Sequence, residues 1–245
     1  MPGRTIICVF AKPPVAGSAK TRLASKIGAT PAAAFAQAFL QDTWATVSAL
    51  PWARVILATT DNRFRDFCLR STAEIWLQGE GDLGQRIERV VKRGLAKVDT
   101  VIAVGADTPG LPPRLLEQAR EELTLKDAVL GPCDDGGFYL IGLRRCPEGL
   151  FEGLPWSSPD TFAAMKARLE SVGMSIGMLD RWFDVDEVED LDRLRSEISQ
   201  GHIDAPATKA LLTAHTLRIS VVVPVLNEER EIPPRVLATL YGNPR

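Results

Sequence analysis

The chain reads as an α/β domain built on a mostly parallel sheet with helices on both faces, and three observations predict it. Short β-branched runs alternate with longer helical patterns along most of the sequence. The runs TIICVF (residues 5–10) and TVIAVG (Thr100–Gly105) are continuously apolar, as strands buried on both faces must be. Hydrophobic residues make up 45% and charged residues 24% of 245 residues, the balance of a folded globular protein. Disorder and fibrous repeats are excluded.

The elements follow in order. After the strand at residues 5–10, a helix is expected over residues 31–50, where Pro31 suits a first turn and Phe35, Phe39 and Trp44 supply bulky apolar positions. RVILAT (residues 54–59) is the next strand, followed by an amphipathic stretch around Phe64 and Leu69 and a third strand, AEIWLQ (residues 73–78). Residues 83–96 form a helix with Leu83, Ile87, Val90 and Val91 on one face. The strand Thr100–Gly105 and a helix over residues 112–123, opened by two prolines, come next. There the rhythm changes. DAVLGP is followed almost at once by GGFYLIGL, a gap too short for a crossover helix, so a change of strand direction is expected. Helices over residues 159–172 and 187–198 complete a domain of residues 1–200, with its ligand crevice at the carboxyl ends of the strands. A polar linker, residues 201–218, leads to residues 219–245, which read as the truncated opening of a second α/β domain, too short to bury a core.

A formal net charge of −2 provides no overall basic field for nucleic acid or an anionic membrane. The only histidines, His202 and His215, lie late in the chain, which argues against a Ser-His-Asp mechanism or a His-rich zinc site. Cys8, Cys68, Cys133 and Cys146 form no CxxC pair and sit in or beside apolar runs, as reduced thiols of a cytoplasmic protein do. The N-terminus lacks the apolar core of a signal peptide, and no apolar run approaches the roughly 20 residues that span a bilayer, so no membrane insertion is expected.

Carboxylates at strand ends carry the first chemical signal. Asp107 follows the buried strand TVIAVG directly, in the tight turn GADTPGLPP. Asp184 and Asp186 lie two apart in WFDVDEVEDL; if residues 183–186 are extended, both side chains fall on one side. Converging carboxylates repel one another and favour a bound Mg²⁺ or Mn²⁺. The same residues would also serve a turn at Asp107 and a helix cap at Asp186 or Glu187. The second signal is the loop AKPPVAGSAKTRLA, which gathers Lys12, Lys20 and Arg22 around Gly17 and Ser18. Small residues let backbone N–H groups approach phosphate oxygens and the cations add charge-assisted bonds, although a solvated basic loop would have the same composition. The GxxxxGK[ST] spacing of a P-loop is absent. In GPCDDGGFYLIGL, Asp134 and Asp135 precede Gly136 and Gly137, which suits either a hairpin turn or close approach by a ligand. GEGDLGQR offers Asp82 as a helix cap and Arg86 as a ligand cation. Trp156, in LPWSSPDT, either stacks on a ring of the ligand or packs in the core.

Taken in order, FAKPPVAGSAKTRLA, GDLGQR, GADTPGL, DDGGFYLIGL, LPWSSPDT and DVDEVEDL resemble the motifs of the radical-SAM/selenodomain-associated transferases, also called arsenosugar-biosynthesis-type glycosyltransferases. The resemblance covers residues 5–198 and implies the GT-A (nucleotide-diphospho-sugar transferase) fold, a mostly parallel Rossmann-like sheet similar to that of the guanylyltransferases that make the molybdenum cofactor and activate 2-phospholactate. Carried over residue by residue, it implies metal coordination by Asp107 with Asp184 and Asp186, and nucleotide phosphates held by Lys12, Gly17, Lys20 and Arg22. Asp134, Asp135, Gly136, Gly137 and Trp156 would border the acceptor or sugar. Thr108 after Asp107, and DVDE in place of DxDT, depart from the family pattern without removing a carboxylate. The tail ISVVVPVLNEE resembles the opening strand of a family-2 glycosyltransferase, which implies such an enzyme as a companion.

The expected function is therefore metal-dependent glycosyl transfer from a nucleotide-diphosphate sugar to a small-molecule acceptor, with Asp135 as general base. Nucleotidyl transfer from GTP or CTP to a phosphorylated acceptor is the first alternative and needs no base. A nucleotide-binding module without catalysis is the second.

Overall fold

The computed structural model describes residues 5–61, 64 and 73–216. Its elements in chain order are β1 (Thr5–Ala11), α1 (Thr21–Ile27), α2 (Ala29–Ser48), β2 (Ala53–Thr59), β3 (Glu74–Leu77), α3 (Leu83–Leu95), β4 (Thr100–Gly105), α4 (Pro113–Leu125), β5 (Ala128–Pro132), β6 (Phe138–Leu143), α5 (Thr161–Ser171), β7 (Ile176–Met178), α6 (Val188–Ser199) and α7 (Pro206–Thr216). The strands form one sheet in the order β3-β2-β1-β4-β6-β5-β7. Every pairing is parallel except those of β6, which runs against both β4 and β5. The reversal expected from the short gap between DAVLGP and GGFYLIGL is therefore real, and the hairpin turn between β5 and β6 makes it.

Continuous apolar strands are needed because both faces of the sheet are covered. Ile6 and Cys8 of β1, with Val101 and Ala103 of β4, enter one core beneath α3 and α5. Their neighbours Ile7 and Val9, with Ile102 and Val104, enter the opposite core beneath α2 and α4. A third cluster joins Leu23 of α1, Phe35 and Phe39 of α2, Leu191 and Leu194 of α6, and Leu212 of α7. Helix α3 starts where expected, since Asp82 Oδ1 accepts from the backbone N–H of Gln85 at 2.8 Å and the Gln85 amide oxygen accepts from Asp82 N–H at 3.1 Å. Cys8 and Cys133 are buried and Cys146 half-buried, all free thiols, and burial pushes Cys8 up to about 12, so it is inert at neutral pH.

Within the stretch expected to be a linker, Pro206–Thr216 forms α7 and docks on α2. Its N-terminus is capped from outside. The buried carboxylate of Asp42 accepts from Ala207 N–H (2.9 Å), Thr208 N–H (2.9 Å) and the Thr208 hydroxyl (2.7 Å). The amphipathic stretch around Phe64 and Leu69 falls mostly outside the described residues, as do Cys68 and the expected opening of a second domain at residues 219–245. Among the described residues, no helix is long and apolar enough to cross a membrane.

Candidate functional site

Strand order reverses between β1 and β4: the chain moves from β1 outward to β2 and β3, then returns to β4 on the other side. At such a switch point the loops leaving the two strands diverge to opposite faces and open a crevice at the carboxyl ends. A cavity of about 670 Å³ lies there, within the range of small-molecule sites. Lys12, Lys20, Arg22, Asp107, Asp184 and Asp186 all line it.

The carboxylates converge as the sequence pattern requires. The segment before α6 continues across the strand ends: Trp182 N–H donates to Pro132 O (3.1 Å) and Val185 N–H to Asp107 O (3.0 Å). Because it is extended, Phe183 and Val185 point into the third core while Asp184 and Asp186 point to the cavity. The cap of α6 falls on Glu187 and not on Asp186, and Asp190 completes a capping box with Glu187. The Asp190 carboxylate accepts from Asp186 N–H at 3.0 Å and Glu187 N–H at 2.9 Å. Oxygens of Asp107, Asp184 and Asp186 lie within 4.8 Å of one another. Lys20 Nζ lies between two of them, 3.1 Å from Asp107 Oδ2 and 2.6 Å from Asp186 Oδ1. Lys20 reaches that point from a left-handed backbone (φ 47°) at the start of α1, a conformation that a non-glycine residue holds only under constraint. Arg22 stands further out, 3.8 Å from Asp186 Oδ2, and Lys12 is exposed without an ion pair among the described residues.

The charges set the titration. Burial alone would lower the Lys20 ammonium, but Asp107 and Asp186 outweigh it and hold its pKa above the usual lysine value. Burial would likewise raise Asp107, and Lys20 brings it below the ordinary aspartate value. Asp184 receives no such contact. Burial, then the neighbouring charges of Asp107, Asp135 and Asp186, push it up to about 7. An all-oxygen donor set of three crowded carboxylates fits a hard divalent cation, whose charge would relieve their mutual repulsion.

The other half of the cavity is built by the β5–β6 turn and the loop before α5. Asp135 and Gly137 line it, and Asp135 Oδ1 accepts from Gly137 N–H at 2.8 Å. Oxygens of Asp135 and Asp184 also group with Cys133 Sγ within 4.8 Å, so Asp184 belongs to both clusters. Trp156 lines the cavity, its ring 6.0 Å from that of Phe138 in an edge-on arrangement. Three expected residues lie elsewhere. Asp134 turns outward to Arg193 at 2.6 Å and ties the turn to α6. Gly17 supplies a turn (φ +86°) with open space around it, while Ser18 next to it reaches the cavity. Gly136, at φ +89°, seats α5, its carbonyl accepting from Phe162 N–H at 2.8 Å. A Cβ there would fall 2.1 Å from the Pro159 carbonyl oxygen. Gly136→Ala is therefore expected to lose about 3 kcal/mol in urea unfolding, from steric clash plus left-handed strain. A loss under about 1 kcal/mol would show that the loop yields freely.

Two further residues join the cavity. Gln78, buried at the end of β3, donates to Ala58 O at 2.8 Å; nothing in its sequence context marked it. Arg86 sits in the first turn of α3, where a cation opposes the helix dipole. Its neighbours on the helix are engaged, Arg89 by Gln78 O and Arg93 over the Trp76 ring at 4.2 Å. Arg86 has no ion pair among the described residues, and its Nε is buried and unpaired. Thr108 is fully buried and its hydroxyl donates to Gly105 O at 3.2 Å, so the departure from the family pattern shapes the turn and leaves the cavity lining unchanged.

Comparison with known proteins agrees with this fold. The sequence profile of a family described as an uncharacterized protein conserved in bacteria (DUF2064) matches residues 43–158. No curated protein sequence matches the chain. A crystal structure from Desulfovibrio desulfuricans G20, provisionally named a nucleotide-diphospho-sugar transferase, is 28% identical, with a TM-score of 0.80 over 87% of this chain and 96% of that one. CMP:2-keto-3-deoxy-manno-octonic acid synthetase complexed with CTP is 16% identical, with a TM-score of 0.53 over 81% of this chain and 99% of that one. The inositol-1-phosphate CTP transferase of T. maritima is 13% identical, with a TM-score of 0.51 over 86% and 96%. The fold is that of the nucleotide-diphospho-sugar transferases and nucleotidyltransferases.

Proposed function

We propose that the chain is a metal-dependent glycosyltransferase of the radical-SAM/selenodomain-associated type, which takes a nucleotide-diphosphate sugar and a small-molecule acceptor. The observation that carries this reading is the grouping of Lys20 with Asp107, Asp184 and Asp186 at the switch point between β1 and β4. Likeness to the Desulfovibrio desulfuricans protein supports the donor class. Mg²⁺ or Mn²⁺ held by the three aspartates would supply positive charge against the diphosphate leaving group. Lys12, Lys20 and Arg22 add cations on the α1 side, and Arg86 offers unpaired N–H donors from α3. Asp135 is the base assigned to the acceptor hydroxyl, since it is exposed at the mouth and only one of its oxygens is engaged by Gly137.

Thermal unfolding against nucleotide-diphosphate sugars and nucleoside triphosphates, each with Mg²⁺ or Mn²⁺, tests the reading. A saturating sugar nucleotide is expected to add about 2–4 kcal/mol, and only with metal. A response to GTP or CTP alone would replace glycosyl by nucleotidyl transfer. Silence across the panel would sink both.

Metal affinity is also expected to depend on pH. Binding at Asp184 must displace a proton below about 7, so affinity rises through that range and levels off above it. Without added metal the sign for stability is the opposite. The folded state keeps the Asp184 proton above the ordinary aspartate value, so this contribution is full in acid and is lost as pH rises towards about 7. Calorimetric titration of Mn²⁺ between pH 5.5 and 8 reads the first, and urea unfolding without metal over the same range reads the second; flat profiles would remove Asp184 from the site.

A further inference from the structure

We propose that Lys20 is a resident cation that competes with a divalent metal for the carboxylate site, and that phosphate oxygens relieve the competition by drawing its ammonium away, so that metal and nucleotide bind as a coupled pair. The proposal rests on the metal and phosphate roles assigned above and adds how one controls the other.

The geometry makes the two cations rivals. Lys20 Nζ already holds Asp107 Oδ2 at 3.1 Å and Asp186 Oδ1 at 2.6 Å. A divalent ion would need those oxygens at about 2.1 Å, which brings three positive charges into the space of one. The ammonium is sheltered while it bridges the carboxylates. Its side chain is 11% exposed, and its backbone is held in the left-handed region. A metal that takes these carboxylates leaves the ammonium without a counter-charge. The move becomes favourable when another anion receives the ammonium, and a diphosphate in the same cavity is such an anion. The four-carbon stem of lysine allows the swing that a rigid guanidinium fork would resist. Arg22 is the internal contrast: it stands 3.8 Å from Asp186 and its side chain is 58% exposed, so it adds field without occupying the site. Coupling of this kind is reciprocal, since whatever tightens metal through phosphate must tighten phosphate through metal.

Free Mn²⁺ measured by electron paramagnetic resonance, with no nucleotide present, reads the competition directly. Lys20→Met is expected to tighten Mn²⁺ binding roughly tenfold or more, because the rival charge is gone. Arg22→Met, which removes one charge from the same neighbourhood, is expected to change it by less than about threefold. Equal effects of the two variants would overturn the proposal. Should Lys20→Met fail to fold, Lys20→Asn replaces it, since asparagine tolerates the left-handed backbone and its short amide cannot bridge the carboxylates.

The unaltered protein supplies a second readout. Amine-reactive labelling of Lys20, quantified by mass spectrometry, is expected to be slow alone, fast with saturating Mn²⁺, and slow again when pyrophosphate joins the metal. Labelling that ignores Mn²⁺ would overturn the proposal. The outcomes also separate it from the function on which it rests. No tightening in Lys20→Met beside a metal-dependent sugar-nucleotide response sinks the resident-cation role alone. Tightening beside a silent ligand panel sinks the transferase reading instead.

Discussion

Asp107→Asn is expected to reduce metal-dependent turnover by at least about 100-fold while leaving the fold intact. Asp107 contributes twice to the site, as a candidate metal oxygen and as one of the two carboxylates that hold Lys20. The amide keeps the shape and removes the charge, so the metal loses a ligand and the ammonium loses a partner. Structure should survive, because the side chain is 39% exposed and the backbone carbonyl that anchors Val185 is untouched. A melting temperature within about 3 °C of the parent, with activity lost, is the predicted pairing. Full activity in Asp107→Asn would sink both metal-dependent readings that rest on this carboxylate.

Asp42→Ala is expected to cost about 3 kcal/mol, the largest stability loss for one side chain far from the cavity. The carboxylate is 3% exposed and accepts from two backbone N–H groups and a hydroxyl at the start of α7. Its removal uncaps that helix and leaves the buried Thr208 hydroxyl without its acceptor. Truncation after Gln200 should be worse, since it also strips Ile203, Ala205 and Leu212 from the third core. Urea unfolding of both variants decides this. A truncated protein as stable as the parent would mean that docking of α7 contributes nothing.

What could be read from the residues depended on how local the cause was. β1 and β4 were legible because burial on both faces writes an unbroken apolar run. The pair Asp184 and Asp186 was legible because alternation is a property of the extended backbone itself. Helix α7 was not, because its cap comes from Asp42 on α2, 165 residues from its partner Ala207. Helix α1 carries no start signal, since Lys20 opens it with no side-chain cap, and β7 has three residues, too few for a pattern. Asp134 and Gly136 looked like ligand contacts because an Asp-Gly turn and a binding loop share a composition. Arg193, 59 residues from Asp134, and the backbone of Pro159 decide the matter, and neither is visible locally. Arg86 was legible as a cation at a helix start; that its buried Nε has no partner among the described residues is a property of the packed molecule.

The antiparallel strand β6 has a consequence for how such a molecule can change. Its turn from β5, closed by Cys133 N–H donating to Gly137 O at 3.0 Å, projects at the same edge of the sheet as the loops after β1 and β4. With Asp135 and Gly136 kept, the other residues of this turn can vary in size and charge while the strand registers stay fixed. The β1 and β4 loops allow no such freedom, since Lys20 and the aspartates must meet within bonding distance. Under the proposed function, one wall of the crevice can diversify while the opposite wall is held constant, so new acceptors could be acquired without rebuilding the wall assigned to the activated donor.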